Sequence, residues 1–164
     1  MILSPSEYEL LRENSKKEEN QINLDVVLMM GCRYVEAVQI QKHPSWFDGE
    51  RILFPGYPII ERSRLPRTIR LSYACKERFR DFIHNKRLGS LQNWNSSLRR
   101  WYGRKGISAK TLRETYEGWL SYTLPFHKED IENSQGHPLN ISYNDLRFLR
   151  KEEGILIEYT KNWF

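Results

Sequence analysis

Cysteine is scarce in this chain. Cys32 and Cys75 stand far apart, and neither belongs to a CxxC pair or a Cys/His cluster, so no zinc signature is present. The expectation is two free thiols in a reducing compartment, with a disulfide between them as the alternative. No apolar run approaches the roughly 20 residues of a membrane span, and no charged leader followed by an apolar core marks a signal peptide. Internal repeats and low-complexity linkers are missing as well. These absences point to a soluble, cytoplasmic chain with no membrane partner.

What is present is a core. Of 164 residues, 39% are hydrophobic and 13% aromatic, which excludes disorder and suffices for one domain, residues 1–164. Lys and Arg number 26 against 21 Asp and Glu, a net charge of +5 that raises the odds of a nucleic-acid partner only modestly.

The pattern along the chain is mainly helical. "LSPSEYELLRE" opens a helix with Ser4 as cap, Pro5 in the first turn and Glu7 closing a capping box. "NSKKEENQ" reads as a charged loop. "INLDVVLMMGCRYVEAVQI" reads as two helices meeting at Gly31, the second starting near Arg33. Asp48-Gly49 marks a hairpin, and three short antiparallel strands are expected between it and "RTIRLS". Phe79, Phe82 and Ile83 share one face of the next helix. Trp94, Leu98 and Trp101 form the buried stripe of another, which Gly106 is expected to stop. Ser108 caps "AKTLRETYEGWLSYTL", a short helix ends at Gly136, and the chain closes in one or two amphipathic helices. The fold class is mainly α (α+β), with a small three-stranded sheet.

Several residues suit metal-free cleavage of a phosphodiester. That reaction needs cations on the non-bridging oxygens, and the planar, always charged Arg serves best. It needs a nucleophile, which Tyr can be, a general acid, and a donor for the charge that develops. Arg33 follows the Gly31-Cys32 turn, although an ordinary pairing with Glu36 would also explain it. Lys110 and Arg113 share a helix face at i and i+3, as a surface pair or as two arms of one phosphate clamp. His137 follows Gly136, and Tyr143 comes six residues later. A lone His is usually a loop or capping residue, and any one of nine tyrosines usually packs.

These segments, in this order, resemble the catalytic domain of the tyrosine recombinase (phage integrase) family, nearest in look to integrases of archaeal viruses and plasmids. "LMMGCRYVEAVQI" resembles the first box, "GISAKTLRETY" the second in a Lys-x-x-Arg form, "SQGHPLN" the Gly-His box and "YNDLRFLRKEEG" the segment that carries the nucleophile. The resemblance spans about Ser4 to Phe164. It implies a helical recombinase catalytic domain without the family's N-terminal core-binding domain. Arg33, Lys110, Arg113 and His137 would hold the scissile phosphate, Glu36 would support Arg33, and Tyr143 would form a 3′-phosphotyrosine. It further implies double-stranded DNA attachment sites as partner, no cofactor and no metal. A homotetramer on DNA, built through the C-terminal segment, is one reading of Trp163 and Phe164; packing on their own domain is the other.

Two features depart from the family. The gap from His137 to Tyr143 is shorter than usual by a few residues, which leaves Tyr159 as the alternative nucleophile. The lysine that the family carries in the sheet as general acid is absent from "IIERSRLPRTIRL", where Arg62 or Arg64 takes its place. Arg is a poor proton donor, so Lys110 or another nearby Lys would have to supply the proton. Arg67, Arg99, Arg100, Arg104 and Lys105 would meet backbone phosphates, or simply solubilise the surface. The rivals are a DNA-binding relative that has lost catalysis and a basic helical adaptor for protein or RNA, which predicts no convergence of the named residues.

Overall fold

The structure is a computed structural model that describes residues 1–56, 66–161 and 163, with the backbone alone for Phe126. Helices dominate. They are α1 (Pro5–Asn14), α2 (Glu18–Met30), α3 (Tyr34–Lys42), α4 (Tyr73–Ile83), α5 (Leu91–Tyr102), α6 (Ala109–Thr123), α7 (Lys128–Gln135), α8 (Tyr143–Leu146) and α9 (Glu153–Thr160). Strands β1 (Arg51–Phe54) and β2 (Arg67–Arg70) pair antiparallel, with Ile52 opposite Ile69. Among the described residues the sheet therefore has two strands where three were expected. The Asp48-Gly49 turn adds only a single bridge between Phe47 and Ile52, and much of the stretch expected to hold a further strand, 57–65, lies outside the described residues.

Local signals set most helix starts. Ser4 accepts from the Glu7 N–H while the Glu7 carboxylate takes the Ser4 N–H at 2.8 Å, the expected capping box. Ser72 caps α4 and Ser90 caps α5 in the same manner. Two boundaries differ from expectation. Residues 18–21, read as loop, form the first turn of α2, where Asn85 holds the Glu19 carbonyl at 2.7 Å. Helix α5 ends at Gly103 with φ +74°, not at Gly106, so Arg104 and Lys105 lie beyond it.

The core gathers on α6. Trp119 is fully buried, donates its indole N–H to the Leu3 carbonyl at 2.7 Å, and meets Tyr8, Tyr159 and Trp163 with ring centroids 5.3–6.1 Å apart. Helix α2 packs on α4 and α6, α1 on α5, and α9 on α6. Trp163 is buried and stacks on Tyr116 and Trp119, so it packs on its own domain, whereas Phe164 lies outside the described residues. Among the described residues, no helix is long and apolar enough to cross a membrane.

Candidate active site

The site begins at a forced turn. Helix α2 stops because Gly31 adopts φ +58° and its N–H returns to the Leu28 carbonyl. The Tyr116 ring of α6 lies so close over Gly31 that a Cβ there would overlap it. The turn thereby fixes where α3 starts, and Arg33 becomes its N-cap.

Glu36, fully buried, sits one turn into α3. Its Oε1 accepts the Arg33 backbone N–H at 2.9 Å and also the Arg67 guanidinium at 2.9 Å. Arg67 then reaches across to donate to the Gln135 carbonyl at 3.0 Å. The same carbonyl accepts from Arg113 at 3.3 Å, while the Gln135 Oε1 accepts the Arg113 Nε–H at 3.1 Å. Gln135 is the last residue of α7, and Gly136 turns the chain behind it with φ +74°. Two buried acceptor residues thus tie together arginines from β2 and α6 beside the start of α3.

His137 follows at once. Its Nδ1 lies 2.8 Å from the Pro138 carbonyl, an acceptor only, so Nδ1 carries the proton in that contact. Its Nε2 lies 2.8 Å from Glu117 Oε1, which is also 3.6 Å from Arg113 Nε. The His137–Glu117 contact is close enough for an ion pair but lacks hydrogen-bond alignment, and among the described residues neither of these buried atoms has another hydrogen-bond partner.

Electrostatics follow from crowding. Burial pushes the Arg113 guanidinium below its ordinary value, and repulsion by Arg33 and Arg67 adds to this against the pull of Glu117 and Glu36. Burial pushes the Glu117 carboxyl up, although His137 and Arg113 draw it down. Burial likewise pushes the Cys32 thiol up to about 12, with Glu36 adding to the rise.

Two cavities open on this cluster, one of about 580 Å³ and one of about 560 Å³. Lys110 and Arg113 line both, so the two cations form a ridge between them. Lys110 is 80% exposed and reaches Glu114 at 3.5 Å. The first cavity also takes in Glu117 and His137, and the second takes in Arg33. Arg33, Lys110, Arg113 and His137 therefore border one or the other of two cavities that share Lys110 and Arg113, and Glu36 accepts from the Arg33 backbone and from Arg67.

The chain matches no family model, no curated protein and no solved structure. Assignment rests on the geometry. Tyr143 is the first residue of α8, is 69% exposed, and is absent from the lining of both cavities. It lies within electrostatic reach of Tyr122, twelve residues along α6 from Lys110, about 18 Å of helix. Tyr159 is further from the role. Its ring packs edge-on to Tyr8 and tilts against Trp119, which makes it part of the aromatic core.

Arg67 corrects the sequence reading. Expected on the surface against DNA phosphates, it is only 11% exposed and is wired into the cluster. Arg62 and Arg64, the expected stand-ins for the sheet lysine, lie outside the described residues. Arg99, Arg100, Arg104 and Lys105 are exposed on α5 and just past it. Glu117 and Gln135 escaped the sequence reading. The i+4 spacing from Arg113 marks Glu117 in retrospect, whereas nothing local marks Gln135. Among the described residues, no group of three His, Cys, Asp or Glu side chains is gathered as metal ligands.

Proposed function

We propose that this chain cleaves and rejoins duplex DNA as a tyrosine-type site-specific recombinase, an integrase in the broad sense. The observation that carries the reading is the arginine cluster. Arg33, Arg67 and Arg113 come from three elements and are held beside His137 and Lys110 by Glu36, Gln135 and Glu117. Arg67 and Arg113, 11% and 15% exposed and fixed by hydrogen bonds, need little reorganisation when charge develops on a phosphorane, and arginine forks match phosphate oxygens.

In this reading Arg33 and Arg113 hold the scissile phosphate and Arg67 adds charge from the sheet. The Tyr143 hydroxyl, exposed to solvent, gives up its proton to water and attacks phosphorus. The P–O5′ bond breaks, leaving a 3′-phosphotyrosine, and the departing 5′ oxygen takes a proton from Lys110 or His137. A 5′-hydroxyl reverses the step, so the link conserves phosphodiester energy. Pro138, Asn140, Ile141 and Asp145 line the first cavity but Tyr143 does not, so the reaction requires the Tyr143 side chain to turn toward the cluster when DNA is bound. The attachment sites are double-stranded DNA, and several copies would assemble on them.

One observation favours a second reading, a DNA-binding relative without catalysis: the exposed position of Tyr143, off the cavity linings. A suicide duplex, nicked near the cleavage point, separates the two. A covalent adduct formed by the unaltered protein and lost in Tyr143→Phe supports cleavage. An adduct that persists in Tyr143→Phe and vanishes in Tyr159→Phe reassigns the nucleophile. Specific DNA binding with no adduct in any variant supports the second reading.

A further inference from the structure

The 560 Å³ cavity has a mixed lining. Three cations, Arg33, Lys110 and Arg113, share it with Tyr34, Val35 and Val38 of α3 and Leu91 of α5, which add apolar and aromatic surface. Leu91 is 44% exposed at its lip, a large apolar side chain open to solvent beside three cations. Tyr34 is held rigidly: its hydroxyl donates to the Gly89 carbonyl at 2.7 Å and its ring stacks on Trp94 with centroids 5.5 Å apart. The phosphate cluster needs only the cations. Apolar lining beside them, in a cavity of a size usual for small-ligand sites, calls for a flat, weakly polar group attached to an anion.

We propose that this cavity receives one nucleotide of a DNA strand, its base against Val35, Val38 and Leu91 and its phosphate on Arg33, Lys110 and Arg113. Charge complementarity selects the anion, and the apolar lining selects the base. The site rests on the reading of the arginine cluster as a phosphate clamp and adds the substrate group beside it. A base lodged there has left its stack, so a strand that is nicked, mismatched or single-stranded at that point enters most readily.

Gly89 permits a test that spares the fold. It lines the cavity, lies outside the left-handed region, and a Cβ added to it would meet nothing within 4 Å. A Cβ there is free of strain, so Gly89→Trp should project its ring over the cavity from an unstrained backbone. Binding of deoxyadenosine 5′-monophosphate, deoxyribose 5-phosphate, inorganic phosphate and a short single-stranded oligonucleotide is measured by calorimetry, with Trp94 fluorescence as a second signal. The base should strengthen binding about tenfold over deoxyribose 5-phosphate, as stacking contributions to single-strand binding suggest. Gly89→Trp should erase that gain for both the nucleotide and the oligonucleotide and leave inorganic phosphate unaffected. Equal binding of the nucleotide and deoxyribose 5-phosphate overturns the proposal. So does a base-dependent gain that survives Gly89→Trp, or a loss seen with the free nucleotide but not with the oligonucleotide. Phosphate binding that is unchanged in Arg113→Ala defeats the clamp instead, and the nucleotide-to-deoxyribose ratio still reports on the base.

Discussion

Arg67 and Glu36 meet at 2.9 Å in a nearly dry pair, with the carboxylate fully buried and the guanidinium 11% exposed. The same carboxylate oxygen also holds the Arg33 backbone N–H. Position within the site therefore depends on one acid. Glu36→Ala leaves a buried cation unopposed and an N–H without its acceptor, a loss of about 3–5 kcal/mol. Glu36→Gln keeps an oxygen at the site and should lose less than half of that. Urea denaturation at pH 7 measures both. A loss under about 1 kcal/mol in Glu36→Ala would show that the acid does not organise the cluster.

Two of the left-handed glycines, Gly31 and Gly103, should part sharply. At Gly31 the φ of +58° and the overlying Tyr116 ring both oppose a Cβ, so Gly31→Ala should cost roughly 3 kcal/mol through backbone strain and overpacking. At Gly103 the φ is +74° but nothing lies within 4 Å, so Gly103→Ala should cost only about 1 kcal/mol. Thermal melts of the two variants side by side test the contrast. Equal losses would mean that Tyr116 yields readily.

Trp163 is buried against Tyr116 and Trp119. Trp163→Ala should lower stability by about 3–5 kcal/mol and weaken the near-ultraviolet circular dichroism of the stacked rings. A fully stable Trp163→Ala protein would indicate that this end of the chain is not part of the core.

The thiols share the alkaline pH dependence with the phenols of Tyr8, Tyr34 and Tyr116, which burial also pushes up. Both cysteines are buried, and the Cys32 thiol, ordinarily near 9, is pushed up to about 12 by burial; Cys75 rises further. The folded state thus keeps protons that the unfolded chain has released. Stability from this source is intact below pH 9 and falls as pH rises toward 12. Replacing both residues with Ala should flatten the decline in an alkaline denaturation series. At pH 8, alkylation of the native thiols should track unfolding, because little thiolate exists to react. Fast labelling of the folded protein would contradict the burial.

Where the signal is local, the sequence displays it openly. Ser4, Pro5 and Glu7 announce α1, and Gly136 announces the end of α7, because caps depend on residues within one turn. The start of α2 is hidden because Lys17 makes no side-chain cap, and the first turn is held instead by Asn85, far along the chain. Lys110 and Arg113 are legible as one helix face from their i, i+3 spacing, and both line the two cavities. Arg67 and Gln135 are not legible, since they act through partners 22 to 68 residues away that no local spacing encodes. Trp163 left two readings open for a related reason: whether an aromatic near a chain end is covered depends on α6, far from it in sequence.

Leu3 donates its N–H to Thr115 and accepts the indole N–H of Trp119, contacts that span 112 and 116 residues. Such closures come late, because the entropy of drawing in a long loop must be met before the contact returns anything. On the ribosome, α1 would leave the exit tunnel with its capping box formed but without the helices it packs against. The segment that enters the core first in sequence would be among the last to enter it in time. At about 5–20 residues per second, it would wait several seconds for α6 to be synthesised.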